Sequence, residues 1–211
     1  MEYPKLVAEC CCNHMGQIDL AMKMIDEISD SKADFAKFQK WNVTEALSVE
    51  QFNASHPNSA HSFGEPYGVH RENLEFTQEQ HFDLKEYCAE KGVSYSCSVF
   101  DAVSAKEICE LEPVYIKIPS QKNLKNSIYD IVCKEFLGEI HLSTGMTTSD
   151  QVSKILDTLD GFGALERVVL YSTTSAYPCR YDQLHLLRIS DYISKFGNKI
   201  SAVGFSGHHN G

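Results

Sequence analysis

The sequence lacks any long apolar run, and basic charge is scarce. No stretch of about 18 uninterrupted apolar residues, the length that a membrane-spanning helix needs, occurs in the 211 residues. The start, MEYPKLVAEC, has neither the charged head nor the apolar body of a secretory signal peptide. The formal net charge is -10 and no basic cluster offsets it, so nucleic-acid backbones and anionic membranes are repelled. These absences predict a cytoplasmic protein with no nucleic-acid or membrane partner.

Cysteine pairs with metal-binding or redox spacing are also missing. Three of the eight cysteines, Cys10 to Cys12, are contiguous, and no C-x-x-C pair occurs in the sequence. A zinc cluster or a redox motif needs such spacing, and the scattered positions do not suggest a disulfide framework either. We expect reduced thiols, most of them buried.

Seven short apolar runs alternate with amphipathic stretches along the chain. The runs are brief, often β-branched or aromatic, and apolar on both faces, as buried parallel strands are. A regular alternation of strand and helix predicts right-handed parallel units. The predicted strands span residues 5–12, 33–39, 93–98, 114–118, 139–143, 167–172 and 200–206.

This pattern predicts the fold class α/β, and within it a (β/α)8 TIM barrel rather than an open doubly wound sheet. A closed barrel has eight strands and usually about 250 residues. The expectation is therefore one incomplete barrel domain, residues 1–211, that lacks the last helix-strand-helix portion, as in a fragment or a truncated gene product. One segment, Trp41 to Glu75, is too long for a plain connection and is expected to be a lid or an interface element.

Capping residues mark the predicted helices. In FTQEQHFDLKEYCAEKG, Thr77 and Gln80 have capping-box spacing and Gly92 ends the helix. In STGMTT, two interpretations stay open: Thr147 or Thr148 caps an ordinary strand-to-helix turn, or the backbone N–H groups hold an anion. Much of the buried face of the first of these helices is predicted to consist of Phe82, Leu84, Tyr87 and Cys88.

Polar residues collect at the carboxyl ends of all seven predicted strands, where barrel enzymes place their chemistry. Two lysines surrounded by hydroxyl groups at one barrel mouth would suit a phosphorylated or carboxylated ligand. The polar sets, in chain order, are Glu9, Asn13 and His14; Lys37 and Gln39; Ser98 and Asp101; Lys117 and Ser120; Ser143 and Thr144; Ser172 to Tyr177, which include Ser175; and Ser206 and His208.

The two lysines, Lys37 in FAKFQ and Lys117 in YIKIP, are charges inside apolar runs. On an edge strand a lysine could snorkel to solvent, but an ammonium in a buried parallel strand needs a carboxylate or a bound anion. Glu9 is expected to pair with one of these lysines, to act as an acid or base, or both. His208 is either an ordinary turn histidine or a metal ligand, and Asp101 is expected to cap the helix that follows it.

Seven segments resemble, in the same order, the signature segments of the sialic acid synthase family. This family contains the phosphoenolpyruvate-dependent synthases of N-acetylneuraminate and of related nonulosonates. The resemblance runs along essentially the whole chain, and YGVHRENLEF with SGHH resembles one branch of the family. The seven segments are AECCCNHMGQIDLAMKMI, ADFAKFQ, GVSYSCSVFDAVSAKEICEL, YIKIPS, LSTGMTT, TSAYP and VGFSGHH.

The resemblance implies a transferase reaction. Phosphoenolpyruvate attacks the open-chain aldehyde of an N-acyl hexosamine such as N-acetylmannosamine, water attacks C2, and phosphate leaves. A divalent metal, manganese or magnesium, polarises the aldehyde oxygen. By motif, Glu9 is the acid/base residue, Lys37 and Lys117 bind phosphoenolpyruvate, and His208 is a metal ligand. The implied substrate contacts are Asn13, Gln39, Ser98, Ser120, Ser143, Ser175, Tyr177 and Ser206.

The family also has parts with no counterpart in the 211 residues. These are a second metal-binding histidine on the eighth strand and a carboxy-terminal antifreeze-like domain that supplies an arginine across the family's dimer. The resemblance therefore implies a homodimer for the full-length form. Two alternatives stay open: an aldolase of the same architecture in which Lys117 forms a Schiff base, and an inactive remnant that still binds anions or pairs with a complementary chain.

Overall fold

The computed structural model describes residues 3–210, and the chain divides into two compact units at the boundary between Val114 and Tyr115. The predicted single domain begins at residue 1 and ends at residue 211, and both residues lie outside the described part of the chain. The single domain therefore stays a prediction. Within residues 3–210, no helix combines the length and the apolar character needed to cross a membrane.

The amino-terminal unit contains three parallel strands, β1 (Val7–Glu9), β2 (Phe35–Lys40) and β3 (Ser94–Val99), which pair in chain order. Three helices of nine residues or more accompany the strands, and three shorter helices with one 3-10 turn at Ser59–His61 lie between β2 and β3. The helices are α1 (Ile18–Asp30), α2 (Val43–Ala46), α3 (Val49–Asn53), α4 (Tyr67–Glu72), α5 (Gln78–Glu90) and α6 (Ala102–Glu110).

The carboxy-terminal unit contains four parallel strands that also pair in chain order: β4 (Tyr115–Ile118), β5 (Glu139–Ser143), β6 (Val168–Thr173) and β7 (Ala202–Ser206). Helices α7 (Asn126–Glu135), α8 (Ser149–Gly161) and α9 (Leu187–Phe196) connect them. The 3-10 turns of this unit are Ser120–Lys122, Leu165–Arg167 and Tyr181–Gln183.

All seven predicted strands are confirmed, although the first is much shorter than residues 5–12. Strand β1 ends at Glu9 because the next residues turn: Cys11 has a φ of 47°, and the Asn13 N–H donates to the Cys10 carbonyl at 3.1 Å. A residue in the left-handed region cannot continue an extended strand. The turn leaves Glu9 as the last residue of the strand.

The prediction that the strands are apolar on both faces was wrong. Side chains alternate between the two faces of a strand, and in β2 one face carries Lys37 and Gln39 while the other carries Phe38. The register places Ser96 beside Lys37 and Ser98 beside Gln39, so β3 continues the polar face. In the carboxy-terminal unit, the register likewise places Lys117, His141, Ser143, Tyr171, Thr173 and Ser206 on one face.

Helices pack on the apolar face of the strands. Phe38 and Tyr95 stack with ring centroids 5.9 Å apart, and Tyr95 contacts His81 of α5. The predicted capping residues Thr77 and Thr148 are confirmed, as is Asp101, which caps α6.

The prediction for the buried face of α5 was partly wrong. Phe82 is 48% exposed, because the stripe that faces the core is formed by His81, Leu84 and Cys88. Tyr87 is half-buried at the border of the helix, where its hydroxyl donates to Asp26 at 3.0 Å.

The pH dependence of stability tests the burial of His81. This histidine is fully buried, and burial, followed by the charge of Lys40, lowers its pKa to about 3. Its Nδ1 contacts the Tyr95 hydroxyl at 2.8 Å. In the unfolded chain the imidazole takes up a proton near its ordinary pKa of about 6.5, whereas in the folded chain it stays neutral. Stability is therefore lost as the pH falls below that value.

Replacing His81 by Asn keeps an acceptor for the Tyr95 hydroxyl but removes the titrating group. Between about pH 6 and pH 4, the free energy of unfolding of the unsubstituted chain should fall by about 2 to 3 kcal/mol more than that of His81→Asn. Urea unfolding at a series of pH values measures this difference. Two parallel pH profiles would contradict the burial of an uncharged His81.

Candidate active site

In the amino-terminal unit, Lys37 contacts two other predicted site residues, Glu9 and Ser98. Its ammonium contacts the carboxylate of Glu9 and donates to the hydroxyl of Ser98 at 3.0 Å. Lys37 is 3% exposed, so its charge depends on these partners. The geometry follows from the sheet register, which places Glu9 beside Lys37 on neighbouring strands. The prediction that Glu9 pairs with a lysine is confirmed.

Gln39 and Asn13 lie at the same end of the strands but outside this network. The Gln39 amide donates to the sulfur of Cys11 at 3.2 Å, and the Cys11 N–H in turn donates to Glu9 at 3.3 Å. The side chain of Asn13 is exposed in the turn that follows β1. Gln39 is therefore linked to Glu9 through Cys11, whereas Asn13 faces solvent.

The cysteines are free thiols, buried at five positions and half-buried at three, as predicted. Burial, followed by the negative charge of Glu9, raises the pKa values of Cys10 and Cys11 to about 12. Both thiols are consequently protonated at neutral pH and are not nucleophiles.

The segment from Trp41 to Glu75 contains a buried cation that the sequence analysis missed. Arg71 is 7% exposed, donates to Glu75 at 2.7 Å and to the sulfur of Cys12 at 3.2 Å, and lies over the Trp41 ring at 4.4 Å. These contacts join α4 to the turn after β1, so the segment is not a structureless loop. The predicted lid or interface role of the segment stays a prediction.

In the carboxy-terminal unit, Lys117 is the buried cation of the polar face. It is 8% exposed, its ammonium donates to the Ser206 hydroxyl at 3.4 Å, and it lies 4.8 Å from the centroid of the Tyr171 ring. Ser143 is buried on the same face, and its carbonyl accepts a hydrogen bond from the Asn123 amide at 2.9 Å. Lys117 and Ser206 are thus brought into contact, with Ser143 on the same sheet face.

Two further predicted residues, Ser120 and Ser175, converge on Gly145. The Gly145 N–H donates to the Ser120 hydroxyl at 3.0 Å. A Cβ at position 145 would collide with the Ser175 hydroxyl and would lie 2.7 Å from that of Ser120, so only glycine permits this approach. Of the two interpretations of STGMTT, the cap is confirmed at Thr148, while anion binding stays a prediction.

His208 and Tyr177 form the last pair of predicted residues. The Nδ1 of His208 contacts the Thr174 carbonyl at 2.9 Å, and its Nε2 contacts the Tyr177 hydroxyl at 3.1 Å. An imidazole that donates from Nδ1 to a carbonyl presents the lone pair of Nε2, which is the orientation of many metal-bound histidines. Across residues 3–210, however, no three His, Cys, Asp or Glu side chains form a group that could hold a metal. His208 therefore has the orientation of a metal ligand, but its Nε2 is engaged by the Tyr177 hydroxyl, and the described residues do not complete a ligand set.

A protein-family model described as the NeuB family matches residues 24–211. Among curated proteins, the chain is 28% identical over 206 residues to the N-acetylneuraminate-9-phosphate synthase of Homo sapiens, covering 98% of this chain and 56% of that protein. It is 27% identical over 212 residues to the N,N'-diacetyllegionaminic acid synthase of Campylobacter jejuni, covering 100% of this chain and 62% of that protein. The chain thus spans little more than half the length of these relatives.

Among solved structures, the N-acetylneuraminic acid (sialic acid) synthetase of Leptospira borgpetersenii matches with a TM-score of 0.82 at 24% identity. The match covers 99% of this chain and 67% of that one. This likeness, with the seven parallel strands that alternate with helices, confirms the predicted fold class of an incomplete (β/α)8 barrel.

Glu9 and Lys37 should change the reactivity of the Cys11 thiol in opposite directions. Glu9→Gln removes a negative charge that raises the pKa of Cys11, so more thiolate forms at a given pH and alkylation becomes faster. Lys37→Met removes a positive charge that lowers this pKa, so alkylation becomes slower. We expect the two variants to differ by about tenfold or more in rate at about pH 9, since one pKa unit changes the thiolate population tenfold.

Iodoacetamide labelling followed by tandem mass spectrometry measures this rate at Cys11. Cys133 is the internal control, because neither Glu9 nor Lys37 contributes to its raised pKa. Equal Cys11 rates in the two variants would show that burial alone governs this thiol.

Proposed function

The chain belongs to the NeuB family, and from that premise we propose that it carries out the chemistry of a sialic acid or related nonulosonate synthase. The proposed reaction condenses phosphoenolpyruvate with N-acetylmannosamine or a similar N-acyl hexosamine and releases phosphate. Two relatives are named as synthases of such acids, N-acetylneuraminate 9-phosphate and N,N'-diacetyllegionaminic acid. The observation that best supports the proposal is the contact of the exposed Glu9 carboxylate with buried Lys37, which also donates to buried Ser98, at the carboxyl ends of the strands.

In this reaction, C3 of phosphoenolpyruvate forms a bond to the aldehyde carbon, and the aldehyde oxygen takes up a proton. Water then adds at C2 and loses a proton. Phosphate leaves when the bond from its oxygen to C2 breaks, the C2 hydroxyl gives its proton to the departing phosphate, and a 2-keto acid remains. The protein must therefore bind an anion with a carboxylate and a phosphate, and it must move protons.

Glu9 is the residue proposed to accept and return a proton. Its side chain is 38% exposed, whereas that of Lys37 is 3% exposed. The carboxylate is therefore accessible to a ligand while it forms an ion pair with the buried ammonium. An anionic ligand that approaches Lys37 competes with Glu9 for the ammonium. This competition would free the carboxylate to accept a proton when the substrate is bound.

Lys117 is proposed to bind phosphoenolpyruvate in the carboxy-terminal unit. It is a buried cation with the Ser206 hydroxyl in contact, and Ser143 lies on the same face. The hydroxyl groups of Ser120 and Ser175 converge at the end of the same unit's strands and are proposed as further donors to the ligand. Asn13, Gln39 and Tyr177 are proposed to contact the substrates.

A divalent cation, manganese or magnesium, is proposed as the cofactor, with His208 as one ligand. When bound, such an ion supplies Lewis-acid polarisation of the aldehyde oxygen. The homodimer of the full-length form and the cytoplasmic location remain predictions from the sequence.

Lys117→Ala tests the proposed function. The chain is incubated with phosphoenolpyruvate, manganese and either N-acetylmannosamine or its 6-phosphate, and phosphate release is followed over time. The 6-phosphate is included because one relative is named for a 9-phosphate product. We expect release by the unsubstituted chain, and a loss of about 100-fold or more in Lys117→Ala, since a buried donor to a developing charge has been removed.

Lys134→Ala is the matched control, because this exposed lysine of the same unit pairs with Asp130 in the adjacent turn of its helix and lies 5.6 Å from the centroid of the Phe162 ring, so it also has a carboxylate and an aromatic neighbour. It should release phosphate at the original rate. Equal rates in Lys117→Ala and Lys134→Ala would contradict the proposed role of Lys117. Borohydride trapping with a keto substrate tests the aldolase alternative, since a covalent adduct at Lys117 would replace the synthase mechanism with a Schiff base.

A further inference from the structure

An aromatic and histidine network lies on the polar face of the carboxy-terminal unit, next to Lys117. His141 stacks on Tyr115 with ring centroids 3.5 Å apart and an interplanar angle of 3°. The Nδ1 of His141 contacts the hydroxyl of Tyr171 at 2.9 Å. Tyr115 is fully buried and His141 is 6% exposed, so the pair is a rigid support for the Tyr171 hydroxyl.

The strand register explains why these side chains meet. On β4 and β5, Lys117 lies directly beside His141, and on β5 and β6, Ser143 lies directly beside Tyr171. Because residues two apart on a strand share a face, Lys117, His141 and Tyr171 all project from the same side of the sheet. Tyr171 therefore reaches His141 with its hydroxyl and Lys117 with its ring.

The contact between Lys117 and Tyr171 is a cation–π interaction. The ammonium lies 4.8 Å from the ring centroid, within the range of about 6 Å in which the ring quadrupole attracts a cation. This attraction strengthens when the cation is removed from water, and Lys117 is buried. Burial, with the nearby charge of Glu139, raises the pKa of Tyr171 to about 12, so the ring beside the ammonium belongs to a neutral phenol.

We propose that Tyr171 is a positioning residue for Lys117 and that His141 anchors it. The ring attracts the ammonium and the hydrogen bond to His141 prevents the ring from turning away, so Lys117 is held on the polar face beside Ser206. This proposal rests on the proposed function, in which Lys117 binds phosphoenolpyruvate. It makes the anion affinity of Lys117 depend on an aromatic ring that itself need not touch the substrate.

A purely structural role for Tyr171 leads to a different expectation. If the ring only filled space, its loss would lower stability but would leave the position of the Lys117 ammonium and its affinity for anions unchanged. A measurement of unfolding therefore cannot separate the two roles, because both predict a loss of stability. The test needs a readout at Lys117 itself.

The test compares Tyr171→Phe, which keeps the ring, with Tyr171→Leu, which removes it. Titration calorimetry measures the affinity of the 211-residue chain for phosphoenolpyruvate and for inorganic phosphate. We expect Tyr171→Leu to weaken phosphoenolpyruvate binding about tenfold, and Tyr171→Phe to weaken it by less than about threefold. Tyr171→Met, which fills a similar volume without a ring, replaces the Leu variant if the latter does not fold.

Tyr95 is the matched control. Its hydroxyl also contacts the Nδ1 of a histidine, His81, but on the helix-packed face of the amino-terminal strands. Tyr95→Phe and Tyr95→Leu remove the same groups from a comparable tyrosine–histidine pair. They should lower stability without changing the affinity for phosphoenolpyruvate.

A second measurement does not depend on ligand binding. Isotope-labelled lysine side chains are observed by NMR, and the Lys117 resonance is assigned with Lys117→Arg. In the unsubstituted chain, the Lys117 Hε protons should show nuclear Overhauser contacts to the side chain of Ser206, the hydrogen-bond partner of the ammonium. These contacts should persist in Tyr171→Phe and be lost in Tyr171→Leu, whereas a ring that only fills space would leave them in both variants.

The outcomes separate this inference from the proposed function. If the unsubstituted chain binds phosphoenolpyruvate and Tyr171→Leu binds it equally well, the positioning role is overturned while the proposed function stands. If the unsubstituted chain binds no phosphoenolpyruvate, the proposed function fails, and the contacts between Lys117 and Ser206 alone decide the positioning role. Contacts that persist in Tyr171→Leu overturn the inference in either case.

Discussion

A lysine buried within a parallel strand must keep its ammonium in contact with polar or aromatic partners, and this requirement organises the polar face of each unit. Strand β2 is paired on both sides, so Lys37 has no edge at which to reach solvent. Its register neighbour Glu9 supplies the opposite charge. In the carboxy-terminal unit, the Ser206 hydroxyl and the Tyr171 ring contact the ammonium of Lys117. Folding therefore gives each ammonium partners that offset part of the cost of removing its charge from water, and it fixes each cation where it is proposed to meet an anionic ligand.

The parts of the fold that depend on neighbouring residues in sequence could be predicted from the sequence. Seven apolar runs are seven strands, and Thr77, Thr148 and Asp101 cap helices as expected, because capping depends only on the next few residues. The pairing of Glu9 with a lysine was also predictable, since burial of an unpaired charge is unfavourable whatever the fold. These successes need no knowledge of the strand register.

The polar face of β2 was predictable, because Lys37 and Gln39 in FAKFQK lie two residues apart and so share one face of the strand. The register between strands could not be predicted, and the remaining errors follow from that. Tyr171 and His141 meet only because two neighbouring strands align, so neither position stood out in the sequence. Arg71 lies in a segment without clear helical or strand periodicity. Its partner Glu75 is four residues along the chain, but its contact with Cys12 depends on the fold and could not be predicted from the sequence.

Two thiols, Cys10 and Cys11, lie beside a carboxylate that is proposed to move protons, and they pose a chemical difficulty because a thiolate would compete for an electrophilic aldehyde. The structure resolves this difficulty electrostatically. Burial and the charge of Glu9 both disfavour a second negative charge at Cys10 and Cys11, and the nearby ammonium of Lys37 opposes this effect without overcoming it. Burial, which is the larger cause, and the charge of Glu9 together keep the Cys10 and Cys11 thiols protonated. Cysteine at these two positions is therefore compatible with the proposed aldehyde chemistry, and the charge that pairs with Lys37 adds to the effect of burial.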